Sequence, residues 1–175
     1  MKTKLLVLVI VALVVWGLKR HYSDARADEL GWILSPTAQL VSLVSGTPFV
    51  LAPGEGYVSH ERLFLIEKSC AGINFMAAAF AMLVFTLFRR VTSTASSVGV
   101  LVGSLLAAYL AAVLVNTTRI AIALWLSRDP LATSSLTASD LHRFEGIVVY
   151  FAGLTLLYEV ARQFDRTSAS VRCRW

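Results

Sequence analysis

The sequence predicts an all-helical integral membrane protein, with about four transmembrane helices and an amphipathic segment at the outer face. Three features predict it. Apolar residues make up 57% of the 175-residue chain and charged residues only 15%, against about 45–50% and about 25% in a soluble domain. The apolar residues gather into long runs, giving a mean hydropathy of +0.69. Arginines and lysines punctuate the ends of those runs, as they do where helices leave a bilayer.

The first run, Leu5–Leu18, lies between Lys2, Lys4 and the pair Lys19, Arg20. It falls short of the roughly 20 residues of a full span, but flanking lysines extend such a run by snorkelling. A cleaved signal peptide is the competing reading. The charged Lys19, Arg20 and His21 stand where a small-residue cleavage site would be expected, which favours a retained anchor over residues 5–18.

Residues 28–69 form an outer-face segment. Within it, Leu30–Val44 mixes Trp32, Ile33, Leu34, Leu40, Val41 and Leu43 with serine and glutamine, the pattern of an amphipathic helix. Gly46, Pro48, Pro53, Gly54 and Gly56 then break any helix. Three further spans make a bundle over residues 70–160. Ala71–Phe88 ends on Arg89 and Arg90, Val98–Leu126 is interrupted only by residues 116–119, and Ile147–Val160 carries Glu159 near its far end. Residues 161–175 form a basic tail. No repeat or low-complexity stretch divides the chain, so it reads as a single membrane domain.

Charge sets the orientation. With both termini inside, the inner flanks hold Lys2, Lys4, Arg89, Arg90, Arg162, Arg166, Arg172 and Arg174; the outer segments hold eight basic residues too, but also nine of the 11 acidic ones. Basic excess in short flanks is the signal that orients spans. The net charge of +5 therefore reflects membrane orientation. Nucleic-acid binding would need a soluble basic surface, and none is present. The expected location is the cytoplasmic (inner) membrane, with the bilayer as the chain's first partner.

That topology brings three reactive residues to one side. Cys70 opens the second span, Arg119 lies toward the outer end of the third, and His142 opens the fourth. The other cysteine, Cys173, falls in the inner tail, so a disulfide is excluded and Cys70 is a lone thiol. Each has an ordinary alternative. A cysteine at a helix end is often a small apolar filler, and a loop histidine is often solvated. Arg119 is costlier, because arginine at mid-membrane loses about 2.5–3.5 kcal/mol unless it snorkels or pairs. The apolar stretch Ile120–Leu126 favours the deeper position, where charged residues are functional by default. Ser69 is a plausible N-cap that sets Cys70 in the first turn of a helix, at the positive end of its dipole. Ser139 or Asp140 could likewise cap the helix of His142. Asn116, one turn before Arg119, faces the same way and could hold the guanidinium or a peptide carbonyl, or equally well simply bond a neighbouring helix. His60 is the rival to His142 as a base, since it lies ten residues before Cys70. No HExxH, CxxC or phosphate-cradling glycine loop is present, so neither a metal nor a cofactor is expected.

The runs Ser69-Cys70-Ala71-Gly72-Ile73 and Asn116-Thr117-Thr118-Arg119-Ile120, followed by His142, resemble the exosortase/archaeosortase family. The stretch Gly54-Glu55-Gly56-Tyr57 and the approach from Glu67 to Cys70 are similar too. The likeness covers roughly residues 30–160. It implies a membrane-embedded cysteine protease or transpeptidase that processes exported proteins bearing a C-terminal sorting signal: a short motif, a transmembrane helix and a basic cluster. It also implies Cys70 as nucleophile, Arg119 as its electrostatic partner and His142 as the acid/base. Typical members have around eight spans. This chain resembles the short stand-alone forms, such as the exosortase K type, for which a homo-oligomer or a partner is a candidate to complete the groove. Two other classes fit the same residues. One is an outer-face cysteine acyltransferase acting on lipid-linked material. The other is a non-enzymatic subunit of an envelope-assembly or transport complex.

Overall fold

The computed structural model describes the backbone of residues 2–126 and 138–172, and the side chains of residues 2–126 and 145–167. Five α-helices dominate it: α1 (Lys2–Asp24), α2 (Gly31–Ser45), α3 (Ile73–Thr86), α4 (Thr94–Leu126) and α5 (Ala138–Arg172). A small three-stranded sheet, β1 (Val50–Ala52), β2 (Gly56–Ser59) and β3 (Phe64–Ile66), falls between α2 and α3 in the sequence. The fold is therefore mostly helical but not purely so.

Three helical stretches are long and apolar enough to cross a membrane: Lys68–Thr86, Thr94–Leu126 and Glu145–Thr167. This is the fold of a membrane protein. α1 carries the Leu5–Leu18 run but is not among the three. Fourteen apolar residues rise only about 21 Å as a helix, short of a hydrocarbon core of about 30 Å. α4 and α5 both extend past their apolar runs. The backbone hydrogen-bond ladder continues into Thr94–Ser97 at one end of α4 and into polar turns at both ends of α5.

The chain forms two compact units. The first holds α1 as far as His21, the stretch Ile73–Ala112, and α5 from Gly153 onward. Its centre is α3, whose Phe75, Met76, Ala79, Phe80, Leu83 and Val84 are all buried. At one end Arg90 Nε donates to Asp165 Oδ1 at 2.7 Å and Arg90 Nη2 to the Phe164 carbonyl at 3.0 Å.

The second unit holds Tyr22–Gly72 and Val113–Ala152. Here α2 buries Ile33, Leu34, Thr37, Ala38 and Val41, a stripe at helical spacing. It stops at Gly46, whose φ of 67° supplies the left-handed cap. The segment that sequence reading treated as helix-breaking becomes an antiparallel meander, with Leu51 opposite Tyr57 and Val58 opposite Leu65. Pro53-Gly54-Glu55 makes its first turn, and the Asp28 carboxylate accepts from Gly54 N at 2.9 and 3.0 Å. Gly56 has no room for a side chain: a Cβ there would stand 2.3 Å from the Ile66 carbonyl oxygen.

Candidate active site

β3 delivers the chain to the cysteine. Ile66 is fully buried, Glu67 is extended, and Lys68–Ala71 then coils as a single 3-10 turn. Cys70 N donates to the Glu67 carbonyl at 2.9 Å. Lys68 pins the turn to the end of α1: its Nζ donates to the Ser23 carbonyl at 3.0 Å and sits 5.1 Å from the Tyr22 ring centroid. Gly72 follows with a φ of 66°, a left-handed conformation that L side chains adopt only at a cost. Only after this kink does α3 begin, at Ile73.

This corrects the expected local geometry. Cys70 is not in the first turn of α3, and Ser69 does not cap it. The Ser69 hydroxyl donates instead to Glu67 Oε1 at 2.7 Å and lies 3.9 Å from Cys70 Sγ. The reason is Gly72, whose left-handed backbone ends one turn before the next helix starts.

α4 supplies the partner for this turn. Asn116 is fully buried, and its Nδ2 donates to the Cys70 carbonyl oxygen. The carbonyl that Asn116 holds is thus one of this chain's own, which suits a packing role as well as a catalytic one. Asn116 is linked to Arg119 through a third residue, Tyr150 of α5. The Tyr150 hydroxyl donates to Asn116 Oδ1 at 3.0 Å and accepts from Arg119 Nη1 at 3.1 Å. The guanidinium carbon also lies 5.3 Å from the Tyr150 ring centroid, within cation–π range. Gly146, one turn before Tyr150, leaves the space the guanidinium occupies, since a Cβ there would meet Arg119 Nε at 3.0 Å. Glu145 lies within electrostatic range of Arg119.

The result is one connected chain, from Arg119 through Tyr150 and Asn116 to the Cys70 carbonyl. Arginine donates, tyrosine accepts and donates, and the amide accepts and donates, so each group is used in keeping with its chemistry. Such a chain can hold the cysteine turn in one conformation and keep a fixed cation in the same unit. Cys70 itself is 5% exposed, so a substrate would meet the thiol only where the turn or its cover opens.

Among the expected site residues, Cys70, Asn116 and Arg119 are brought together. His142 lies on the backbone of α5, but its side chain is outside the described residues, as are the side chains of the expected caps Ser139 and Asp140 and all of Cys173. His60 is exposed, in the turn after β2. Sequence reasoning missed Tyr150. Its one signal was position: Gly146 and Tyr150 are spaced i, i+4 on the helix that follows His142. Among the described residues no cluster of three or more potential metal ligands occurs.

Fold and site together define a helical membrane protein with a buried cysteine turn, locked by a polar chain from two long helices. No protein-family model, curated protein or solved structure matches this chain.

Proposed function

We propose that this protein is a membrane-embedded cysteine peptidase or transpeptidase of the exosortase kind, acting at the outer face of the cytoplasmic membrane on exported proteins with C-terminal sorting signals. The observation that carries this reading is the hydrogen-bonded chain joining the Cys70 turn to Arg119. A buried polar network of this length is costly to assemble unless every member is satisfied, and here it ends on the one cysteine among the described residues. The Leu5–Leu18 helix acts as a fourth anchor, with both termini on the inner side, where the short flanks carry a basic excess.

In this reading the substrate's helix lies in the bilayer and its motif meets the outer boundary. The Cys70 thiolate attacks the scissile carbonyl, and positive charge from Arg119 stabilises the tetrahedral oxyanion. The C–N bond breaks, the leaving amine takes a proton from His142, and a thioester remains on Cys70. His142 then removes a proton from the incoming amine or water that releases the product. Thioester chemistry keeps the acyl group activated for transfer to an amine.

One specific observation favours a second reading. The chain grips the backbone of Cys70, not its thiol, and that thiol is almost fully buried. A non-enzymatic subunit of an envelope complex would use the same contacts as a folding lock.

A panel of Cys70→Ala, His142→Ala and His60→Ala, expression-matched in cells that also carry one tagged substrate, separates the two. Loss of processing with the first two and a modest reduction with the third is the expected result. Full processing by Cys70→Ala would leave only the structural reading, and a reversed ranking of the histidines would reassign the base.

A further inference from the structure

The first unit contains a groove of about 560 Å³ between α3, the start of α4 and the later half of α5, within the roughly 300–1,000 Å³ typical of small-molecule sites. Its lining is sorted by polarity. Arg90, Thr92 and Ser96 stand at one end, and Val100, Leu157 and Phe164 belong to the apolar wall. The floor is the small-residue edge of α4, at Gly99, Gly103 and Ala107. A Cβ at Gly99 or Gly103 would meet nothing within 4 Å, so both glycines face open space.

The polar end is basic and fixed. Asp165 and the Phe164 carbonyl take Arg90 Nε and Nη2, while Nη1 has no partner among the described residues. The Arg90 guanidinium also stacks 4.6 Å from the Phe164 ring centroid, and Lys4 Nζ lies 5.5 Å from that of Phe88, two residues before Arg90. From Ser96 to Ala107 the floor rises about 17 Å, close to half of a hydrocarbon core of about 30 Å. That is the depth of one leaflet. A transmembrane helix would need a seam of the full thickness.

We propose that this groove binds one anionic phospholipid, with its phosphate at Arg90 and an acyl chain along Gly99, Gly103 and Ala107. Basic pockets between transmembrane helices suit anionic headgroups because the phosphate meets a cation at the depth where both leave the hydrocarbon. Small residues make the floor because a chain packs closest where no side chain projects. Ser104 also lines the groove; it is 2% exposed and its hydroxyl has no partner among the described residues. A partner helix with a polar side chain at that level is the rival occupant, since it could bond that hydroxyl.

The experiment is native mass spectrometry of the detergent-purified protein, titrated with phosphatidylglycerol or phosphatidylcholine of matched chains. One phosphatidylglycerol should be retained about fivefold better, the factor expected for one added basic contact near the membrane surface. Gly103→Leu, whose side chain enters open space, should reduce that lipid to the phosphatidylcholine level. Asp165→Asn removes the carboxylate competing for Arg90 and should raise the preference, a gain that misfolding cannot mimic. Equal retention of both lipids by the wild type would overturn the proposal. So would a phosphatidylglycerol adduct untouched by Gly103→Leu, or a preference that Asp165→Asn leaves unchanged or lowers. Conversion of a dimer to a monomer by Gly103→Leu, with lipid retention unaltered, would assign the groove to a helix of a second copy and equally overturn it.

Discussion

Two arginines, one in each unit, show two ways of holding a cation in an apolar helix bundle. Arg90 is neutralised by a carboxylate: it pairs with Asp165 in the last turns of α5, with both side chains part-exposed at 18% and 29%. Arg119 has a carboxylate, Glu145, within electrostatic range and a neutral hydroxyl that orients it as well. Tyr150 takes one of its N–H groups and shows it a ring face, while Glu145 acts on it electrostatically. The first arrangement mainly lowers the cost of a charge near a helix end. The second fixes the direction of a guanidinium and passes that constraint on to a second side chain. A residue that only needed to be tolerated would be served by the first.

This contrast predicts different sensitivity to lysine. Arg90→Lys keeps a charge for Asp165 and should leave processing of a tagged substrate near wild type. Arg119→Lys replaces a fixed planar fork with a mobile point charge. It should accumulate in the membrane yet lose about 10²–10³ in rate, the usual loss for one oxyanion donor. Near wild-type processing by Arg119→Lys would erase the distinction between the two arginines.

Smaller effects separate the members of the chain. Asn116→Ala strands the buried Cys70 carbonyl, a loss of about 1–3 kcal/mol in unfolding stability. Tyr150→Phe keeps the ring in place but takes away the partner of the buried Asn116 Oδ1, so it should cost about 1 kcal/mol, the low end of the same range. Thermal unfolding in detergent, followed by tryptophan fluorescence, reads both. Equal losses would make Tyr150 the centre of the cluster instead of Asn116. Smallest in stability is Gly146→Ala, where about 1 kcal/mol of helix propensity is gained against a contact at 3.0 Å with Arg119 Nε. Stability should hold while processing falls. If both hold, the position of the guanidinium is not critical.

The helices were largely legible because each carries its own signal. The amphipathic stretch Leu30–Val44 became α2 at Gly31–Ser45, and Val98–Leu126 lies within α4. The i, i+3 spacing of Asn116 and Arg119 was legible for the same reason, since helical periodicity places them on one face. The sheet was harder. Its strands have three or four residues, and Pro53, Gly54 and Gly56 mark the end of a helix as readily as the turn of a hairpin. Tyr150 carried only the weak signal of its spacing from Gly146, because a tyrosine in an apolar run gains its meaning only when another helix brings Asn116 and Arg119 to it. The turn at Cys70 was misread because Gly72 looks like an ordinary helical glycine until its φ is known.

Every bond in the chain points one way. Arg119 donates to Tyr150, Tyr150 to Asn116, and Asn116 to the carbonyl of Cys70. Aligned donors polarise one another, so each bond strengthens the next. The last acceptor is the carbonyl of the peptide that joins Cys70 to Ala71. Electron density drawn toward that oxygen leaves the nitrogen of the same amide, and the Ala71 hydrogen becomes more positive. The charge of a guanidinium three groups away is thereby felt at the N–H next to the cysteine.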